Sequence, residues 1–171
     1  MIRICINGAE SVGKSTLAKE LVSVCGGEYV AEYARTYVEE LTCGYNYCDV
    51  VNIAKKQTEQ LYATYNAPFV FFDTDLIITK VWFEKRYNKV PDFVEEYTDR
   101  SPIDYYLLLQ PDLPFVADPT RENTDIREQL TERYLQLIKQ TCKPYSIITG
   151  SGKDRLRNAL TALTNAGIIK L

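Results

Sequence analysis

Between an apolar run, Arg3-Ile4-Cys5-Ile6, and an apolar helical pattern at Leu17, Leu21, Val22 and Cys25 lies Gly8-Ala9-Glu10-Ser11-Val12-Gly13-Lys14-Ser15. No other feature constrains the chain as much. A buried strand, a loop bracketed by glycines and closed by Lys-Ser, and then a helix make a cradle for an anion. The glycines let successive backbone N–H groups curl inward, and the helix starting near Lys14 adds its positive dipole end. Lys14 is expected on the β- and γ-phosphates of a nucleoside triphosphate. The Ser15 hydroxyl is expected on Mg²⁺, and Thr16 beside the α-phosphate.

The rest of the chain alternates in the way such a loop requires. Glu28-Tyr29-Val30-Ala31 reads as a second strand, followed by a short helix from about Ala34 to Leu41. Cys43 to Cys48 breaks the chain, and Asp49 suits the cap of a helix running to about Tyr65. Phe69-Val70-Phe71-Phe72 is a central strand ending on Asp73-Thr74-Asp75, with helical patches following at Leu76 to Tyr87 and Pro91 to Asp99. Tyr105 to Leu109 is a strand. The proline-rich stretch after it, about residues 110–125, reads as a lid loop of adjustable shape. Ile126, Leu130, Tyr134, Leu137 and Ile138 share a helical face; Tyr145 to Thr149 is a fifth strand, and a last helix carries Leu156, Ala159, Leu160 and Leu163. Strands alternating with helices predict an α/β fold of three layers, a five-stranded parallel sheet with helices on both faces. A chain of 171 residues holds one such domain, residues 1–171. Right-handed crossovers bring the loops at the carboxyl ends of the strands, including residues 8–15 and 73–75, to one cleft.

Composition removes several chemistries. The chain has no histidine, so a Ser-His-Asp triad, a Cys-His pair and a His-ligated zinc are excluded. A general base must therefore be a carboxylate or, less simply, Lys or Tyr. The net charge of −3 gives no electrostatic footprint for nucleic acid or an anionic membrane. No apolar run is long enough to span a bilayer. Five cysteines without a CxxC pair, and no secretory segment at the start, imply free thiols in a reducing cytoplasm.

Four groups of residues then carry candidate chemistry. Asp73 ends an apolar strand, where a carboxylate suits the magnesium shell; Asp75 points the same way if the strand geometry persists, and either also suits a helix N-cap. Glu32 follows the second strand at the cleft and can accept a proton from a substrate hydroxyl. Arg35, one turn on, fits a helix-start ion pair or the substrate. Arg121 and Arg127, in and just after the lid loop, suit charge neutralisation during phosphoryl transfer or simply solvent. Tyr33, Tyr37, Tyr45, Tyr47 and Trp82 offer faces for a flat, cationic ring or simply pack in the core and surface, while Gly150 to Arg155 is an ordinary Gly-rich turn or one that packs against a nucleotide base.

Together, Asn7 to Thr16, Glu32-Tyr33-Ala34-Arg35, Asp73-Thr74-Asp75 and Asp118-Pro119-Thr120-Arg121 resemble the kinase domain of NadR-type proteins, a P-loop family. The resemblance implies ATP- and Mg²⁺-dependent phosphorylation of a small acceptor, nicotinamide riboside, on its ribose 5′-hydroxyl. It places Gly8, Ala9, Glu10, Ser11, Val12, Gly13, Lys14, Ser15, Thr16 and Arg127 on ATP, and Ser15 with Asp73 on the metal. Glu32, Arg35, Tyr37, Asp75 and Trp82 fall on the acceptor, with Lys14, Glu32, Asp75 and Arg121 in catalysis. One of Glu32 and Asp75 is expected to be the base, with Glu32 favoured because Arg35 keeps it ionised. Larger NadR proteins carry an adenylyltransferase domain with an HxGH-type signature and a DNA-binding domain. A chain without histidine that opens on the kinase strand is expected to have neither. Another nucleotide or metabolite kinase of this fold, or a nucleotide-dependent switch acting on a protein partner, are the competing expectations. The switch in its GTP form lacks the Asn/Thr-Lys-x-Asp element that reads guanine.

Overall fold

A computed structural model describes residues 1–113 and 126–170. Five strands, β1 (Ile2–Gly8), β2 (Glu28–Val30), β3 (Phe69–Asp73), β4 (Tyr105–Leu109) and β5 (Tyr145–Ile148), form one sheet in the order β2-β3-β1-β4-β5. Every pairing is parallel. The interior strands β1, β3 and β4 are nearly continuous apolar runs because both faces of the sheet are covered, and Ile4, Val70, Phe71 and Leu107 are fully buried.

Chain direction dictates which face each helix takes. From β1 the chain crosses to β2 through α1 (Lys14–Cys25) and then turns back. α2 (Tyr33–Glu39) and α3 (Tyr47–Tyr62) lead to β3; α4 (Leu76–Tyr87), α5 (Asp92–Glu95) and α6 (Tyr97–Arg100) lead to β4; and α7 (Arg127–Gln140) leads to β5. Right-handed connections in opposite directions put α1 on one face and α3, α4 and α7 on the other. The last helix, α8 (Gly152–Asn165), packs beside α1. The result is the three-layer α/β sandwich that the sequence implies.

Adjacent strands β1 and β3 send their chains to opposite faces, and a crevice opens where they part. Ile6 pairs with Asp73 in the register, so the phosphate loop and the end of β3 lie side by side. Two local details differ from the sequence reading. Asn46, not Asp49, caps α3: its side chain accepts from the N–H groups of Cys48 and Asp49, while Asp49 returns a bond to the Asn46 N–H. The patch at 91–99 splits into two single turns, α5 and α6.

Candidate active site

The phosphate loop is built from backbone. Gly8 and Gly13 have φ of +148° and +80°, both in the left-handed range that other residues resist. A Cβ on Gly8 would come within 3.0 Å of the Leu109 carbonyl oxygen, so glycine also lets the loop lie against β4. α1 begins at Lys14 with no side-chain cap, leaving its first N–H groups turned to the crevice. Lys14 Nζ donates to the carbonyls of Gly8 and Ala9 at 3.0 and 2.9 Å, which holds the cation across the loop mouth. Ala9 itself is buried and reaches the site only through that carbonyl, while Gly8, Glu10, Ser11, Val12, Gly13, Ser15 and Thr16 line the cleft.

Beside the loop, Tyr29 of β2 joins the two residues expected at the metal. Its hydroxyl donates to Asp73 Oδ2 at 3.1 Å and is in hydrogen-bond range of Ser15. Burial, then the Asp73 charge, push this phenol up to about 12. Asp73 Oδ1 is buried and has no hydrogen-bond partner among the described residues. An orphaned hard oxygen near a serine hydroxyl fits Mg²⁺, which takes few protein ligands and completes its shell with phosphate and water.

Asp75 takes a different path, and here the structure corrects the expectation. The strand ends at Asp73, and Thr74 turns the chain with φ of +78°. Asp75 therefore swings into the core, where it is 1% exposed. Its Oδ1 accepts from the Ile77 N–H at 3.0 Å, capping α4, and from Asn7 Nδ2 at 3.1 Å. Oδ2 accepts from the hydroxyls of Tyr97 and Tyr106 at 2.9 and 2.8 Å. Asp75 does not line the cleft. Burial raises its carboxyl to about 6 against the pull of these donors. It works as the helix cap, the alternative that the sequence left open.

The phosphate loop opens into a cleft of about 760 Å³ in all, in the range of small-molecule sites. Glu32 stands at its inner end, at the N-terminus of α2, with no capping bond from its side chain. Desolvation raises its carboxyl, Lys14 and Arg35 pull it down, and Asp73 and Glu10 push it up. Arg35 lines the same wall. Across from it, α4 contributes Ile78, Val81, Trp82, Lys85 and Arg86. Trp82 Nε1 donates to the Tyr45 hydroxyl at 3.2 Å, and their rings meet edge to face with centroids 4.8 Å apart. The Arg86 guanidinium lies 4.7 Å from the Tyr45 ring centre.

Other expected contacts fall elsewhere. Tyr37 is outside the cleft lining and donates to Asp49 on α3 at 3.0 Å. Tyr47 packs edge-on to Phe83 and Tyr87, and Tyr33 tilts against Tyr37. Arg127 opens α7 and donates to the Leu113 carbonyl at 2.9 Å, away from the cleft lining. Arg121 and most of the lid loop lie outside the described residues.

Sequence reasoning missed Tyr29 and Tyr134. Tyr134, buried on α7, reaches the cleft near Glu10 and Glu32; its burial and their charges raise its hydroxyl. Its helical spacing marks it as core, and it is buried as well as cleft-lining. Tyr29 carried a usable signal, since it lies near the carboxyl end of β2, the strand that borders β3 and Asp73.

Comparisons with known proteins agree with this architecture. The chain is 30% identical over 124 residues to the trifunctional NAD biosynthesis/regulator protein NadR of Salmonella typhimurium, covering 69% of this chain and 30% of that protein. The Escherichia coli protein of the same name matches to the same extent. The chain thus spans less than a third of the length of these curated relatives. Among solved structures, a NadR protein in complex with NAD and AMP-PNP superposes with a TM-score of 0.72 at 20% identity, over 99% of this chain and half of that one. A deoxyadenosine kinase from M. mycoides superposes at 0.66 with 16% identity, over 96% of this chain and all of that one. A family model described as an AAA domain matches residues 3–155, and with the loop at residues 8–15 in place the chain belongs to that family of P-loop domains.

Proposed function

We propose that the chain is an ATP- and Mg²⁺-dependent kinase of a nucleoside-like acceptor in the cytoplasm, with nicotinamide riboside its foremost substrate. One observation carries this reading: the phosphate loop with Lys14 and the carboxylate of Glu32 face a single cleft that continues to the Trp82–Tyr45 aromatic pair. The donor's phosphates lie in the loop, the acceptor's ring lies towards the aromatic pair, and its hydroxyl meets Glu32 between them. Solved NadR proteins of this fold hold NAD with AMP-PNP in one structure and NR in another, which supports a nucleotide donor and a nicotinamide-bearing ligand as the classes to test.

Phosphoryl transfer asks the protein for alignment and charge neutralisation more than for covalent chemistry. Lys14 leaves its loop carbonyls for the β- and γ-phosphate oxygens, and the N–H groups of the loop hold the remainder. Mg²⁺, when bound at Ser15 and the Asp73 corner, offsets charge on the triphosphate. Glu32 accepts the proton of the acceptor hydroxyl as its oxygen bonds to the γ-phosphorus and ADP departs. A carboxyl raised by desolvation is a stronger base than an ordinary glutamate and suits that task. Arg121, from the lid, is assigned to the charge of the transferring group.

A second reading, a nucleotide kinase of the same fold, draws on the basic side chains Arg35, Lys85 and Arg86 along the cleft. The Glu32 carboxylate favours the first reading, because it suits an uncharged hydroxyl better than a phosphate oxygen. Acceptor-stimulated release of ADP from Mg-ATP tests these readings with nicotinamide riboside, adenosine, thymidine, uridine and nucleoside monophosphates. Nicotinamide riboside is expected to react fastest, giving the mononucleotide. Preference for a monophosphate would favour the second reading, and slow ATP hydrolysis with no acceptor effect would favour a switch.

A further inference from the structure

Behind the phosphate loop, outside the cleft lining, sits a buried cation with no part in the mechanism above. Arg155, in the first turn of α8, is 3% exposed. Its Nη1 donates to the Val12 carbonyl of the phosphate loop. Its Nη2 donates to the Gln110 carbonyl just beyond β4 at 3.2 Å and lies 3.4 Å from Asp112 Oδ2. The same Asp112 oxygen accepts from the Gly150 N–H, just beyond β5, at 2.6 Å. One guanidinium therefore ties together the exits of β1, β4 and β5.

As a stabilising device this is poorly made. Nε is buried with no partner among the described residues, and the one ion pair is long. Burying a cation on such terms is costly, and an apolar side chain would fill the space at less cost. What the guanidinium does supply is an orientation. The peptide linking Val12 to Gly13 is planar and trans, so its C=O and N–H point in opposite directions. Anchoring the Val12 oxygen on Arg155 aims the Gly13 N–H the other way, into the cleft that Gly13 lines. A cation on the carbonyl also polarises the peptide and strengthens its N–H as a donor. Glycine at 13 suits the φ of +80° there, and a Cβ would meet Arg155 Nη1 at an ordinary contact distance of 3.8 Å.

We propose that Arg155 is a positioning residue of the donor site: through the Val12 carbonyl it holds the Gly13 N–H on the triphosphate, and through Gln110 and Asp112 it braces that peptide against the β4 and β5 exits. The proposal rests on residues 8 to 15 being a triphosphate site and is independent of which acceptor is used. Lysine keeps the charge but lacks the fork that reaches Val12 and Gln110 together.

The test measures calorimetric binding of Mg-tripolyphosphate and Mg-ATP to the full chain, with steady-state kinetics alongside. Arg155→Lys is expected to weaken tripolyphosphate about tenfold and to raise the KM for ATP in step, as loss of one charge-assisted contact does. The acceptor KM stays within a factor of about two, because the contact acts only on the donor loop. Asp112→Asn, which frees the guanidinium without orphaning the carbonyls, shifts the same constants in the same direction by a smaller factor. It decides the matter if Arg155→Lys does not fold. Arg157→Ala, on the exposed side of α8 where Arg157 pairs with Asp154, leaves all of them unchanged. A role in folding alone would lower the melting temperature and leave the donor and acceptor constants untouched, and that result overturns the proposal. Wild-type protein that binds neither tripolyphosphate nor ATP overturns the functional reading and this proposal together.

Discussion

The two ends of the cleft are made in different ways. At the end proposed for the donor, residues 8–16 form one contiguous stretch that offers backbone N–H groups with the Lys14 and Ser15 side chains, fixed by two glycines and the start of α1. At the acceptor end, Glu32, Arg35, Tyr45, Trp82 and Tyr134 come from α2, the segment before α3, α4 and α7, and they act through side chains. A backbone site binds what all nucleoside triphosphates share. A side-chain site, assembled from separate helices, can change its preference one residue at a time. On the proposed reading, donor chemistry belongs to the fold, whereas acceptor choice belongs to a few positions hung on it.

The strongest challenge to this division is Lys14→Ala. Turnover should fall below detection and triphosphate binding should weaken. The circular dichroism spectrum should match wild type, because among the described residues Lys14 hydrogen-bonds to loop carbonyls. Normal turnover in a folded variant would sink the donor assignment.

Next comes Glu32→Gln, at the meeting point of the two ends. Loss of the general base is expected to lower kcat by roughly 10²–10⁴-fold, with the Kd for ATP near wild type. Its pH profile sharpens the point. Glu32 works as a base only when ionised, and burial raises its carboxyl. As pH falls, kcat/KM should therefore begin to drop above the ordinary carboxylate range, and the glutamine variant should lose that limb. An unaltered kcat would move the base elsewhere.

A smaller effect is expected at the metal corner. Asp73→Asn should raise the Mg²⁺ concentration needed for half-maximal rate and slow turnover by about ten- to a hundredfold, equally for every acceptor. A loss that depended on the acceptor would mean that Asp73 belongs to the other end of the cleft. Trp82→Ala should do the converse, raising the acceptor KM by about tenfold through lost ring contact while leaving the KM for ATP alone.

How much of this was legible follows from the same contrast. The phosphate loop, the parallel sheet and the strand ends at Asp73 and Glu32 are local patterns, and each fell where the residues implied. Asp75 did not, because its fate is decided by side chains distant in sequence: Asn7, Tyr97 and Tyr106 converge on it only once β1, α6 and β4 are packed. The run Leu76-Ile77 after it was the available signal, since a helix that begins with two buried aliphatics needs its cap inside the core. Tyr37 could not be placed for a similar reason. Its partner Asp49 lies on another helix, and nothing in a stretch of tyrosines says which face meets the substrate.

The smallest expected effect on catalysis, and the one that best separates the neighbouring aspartates, is at Asp75. Asparagine there keeps an oxygen for the Ile77 N–H and Asn7, while its amide faces two tyrosine hydroxyls that can rotate to accept from it. Tyr106 can turn its own proton to Ser101 Oγ, 2.8 Å away, so the Tyr97 proton is the one group that loses its acceptor. Asp75→Asn should therefore change kcat by no more than about fivefold, the size of one rearranged hydrogen bond. Asp75→Ala strands the Ile77 N–H, the Asn7 amide and the Tyr97 hydroxyl in the core and should lower the melting temperature by about ten degrees or more, at about 1–3 kcal/mol for each group left unsatisfied. Kinetics and thermal unfolding of the pair decide the role. If the asparagine variant loses a hundredfold in kcat at wild-type stability, Asp75 takes part in the chemistry after all and Glu32 is not the sole carboxylate at the acceptor. If stability alone responds, and mainly to alanine, Asp75 is the anchor that fixes α4, and with it Trp82, against the phosphate loop.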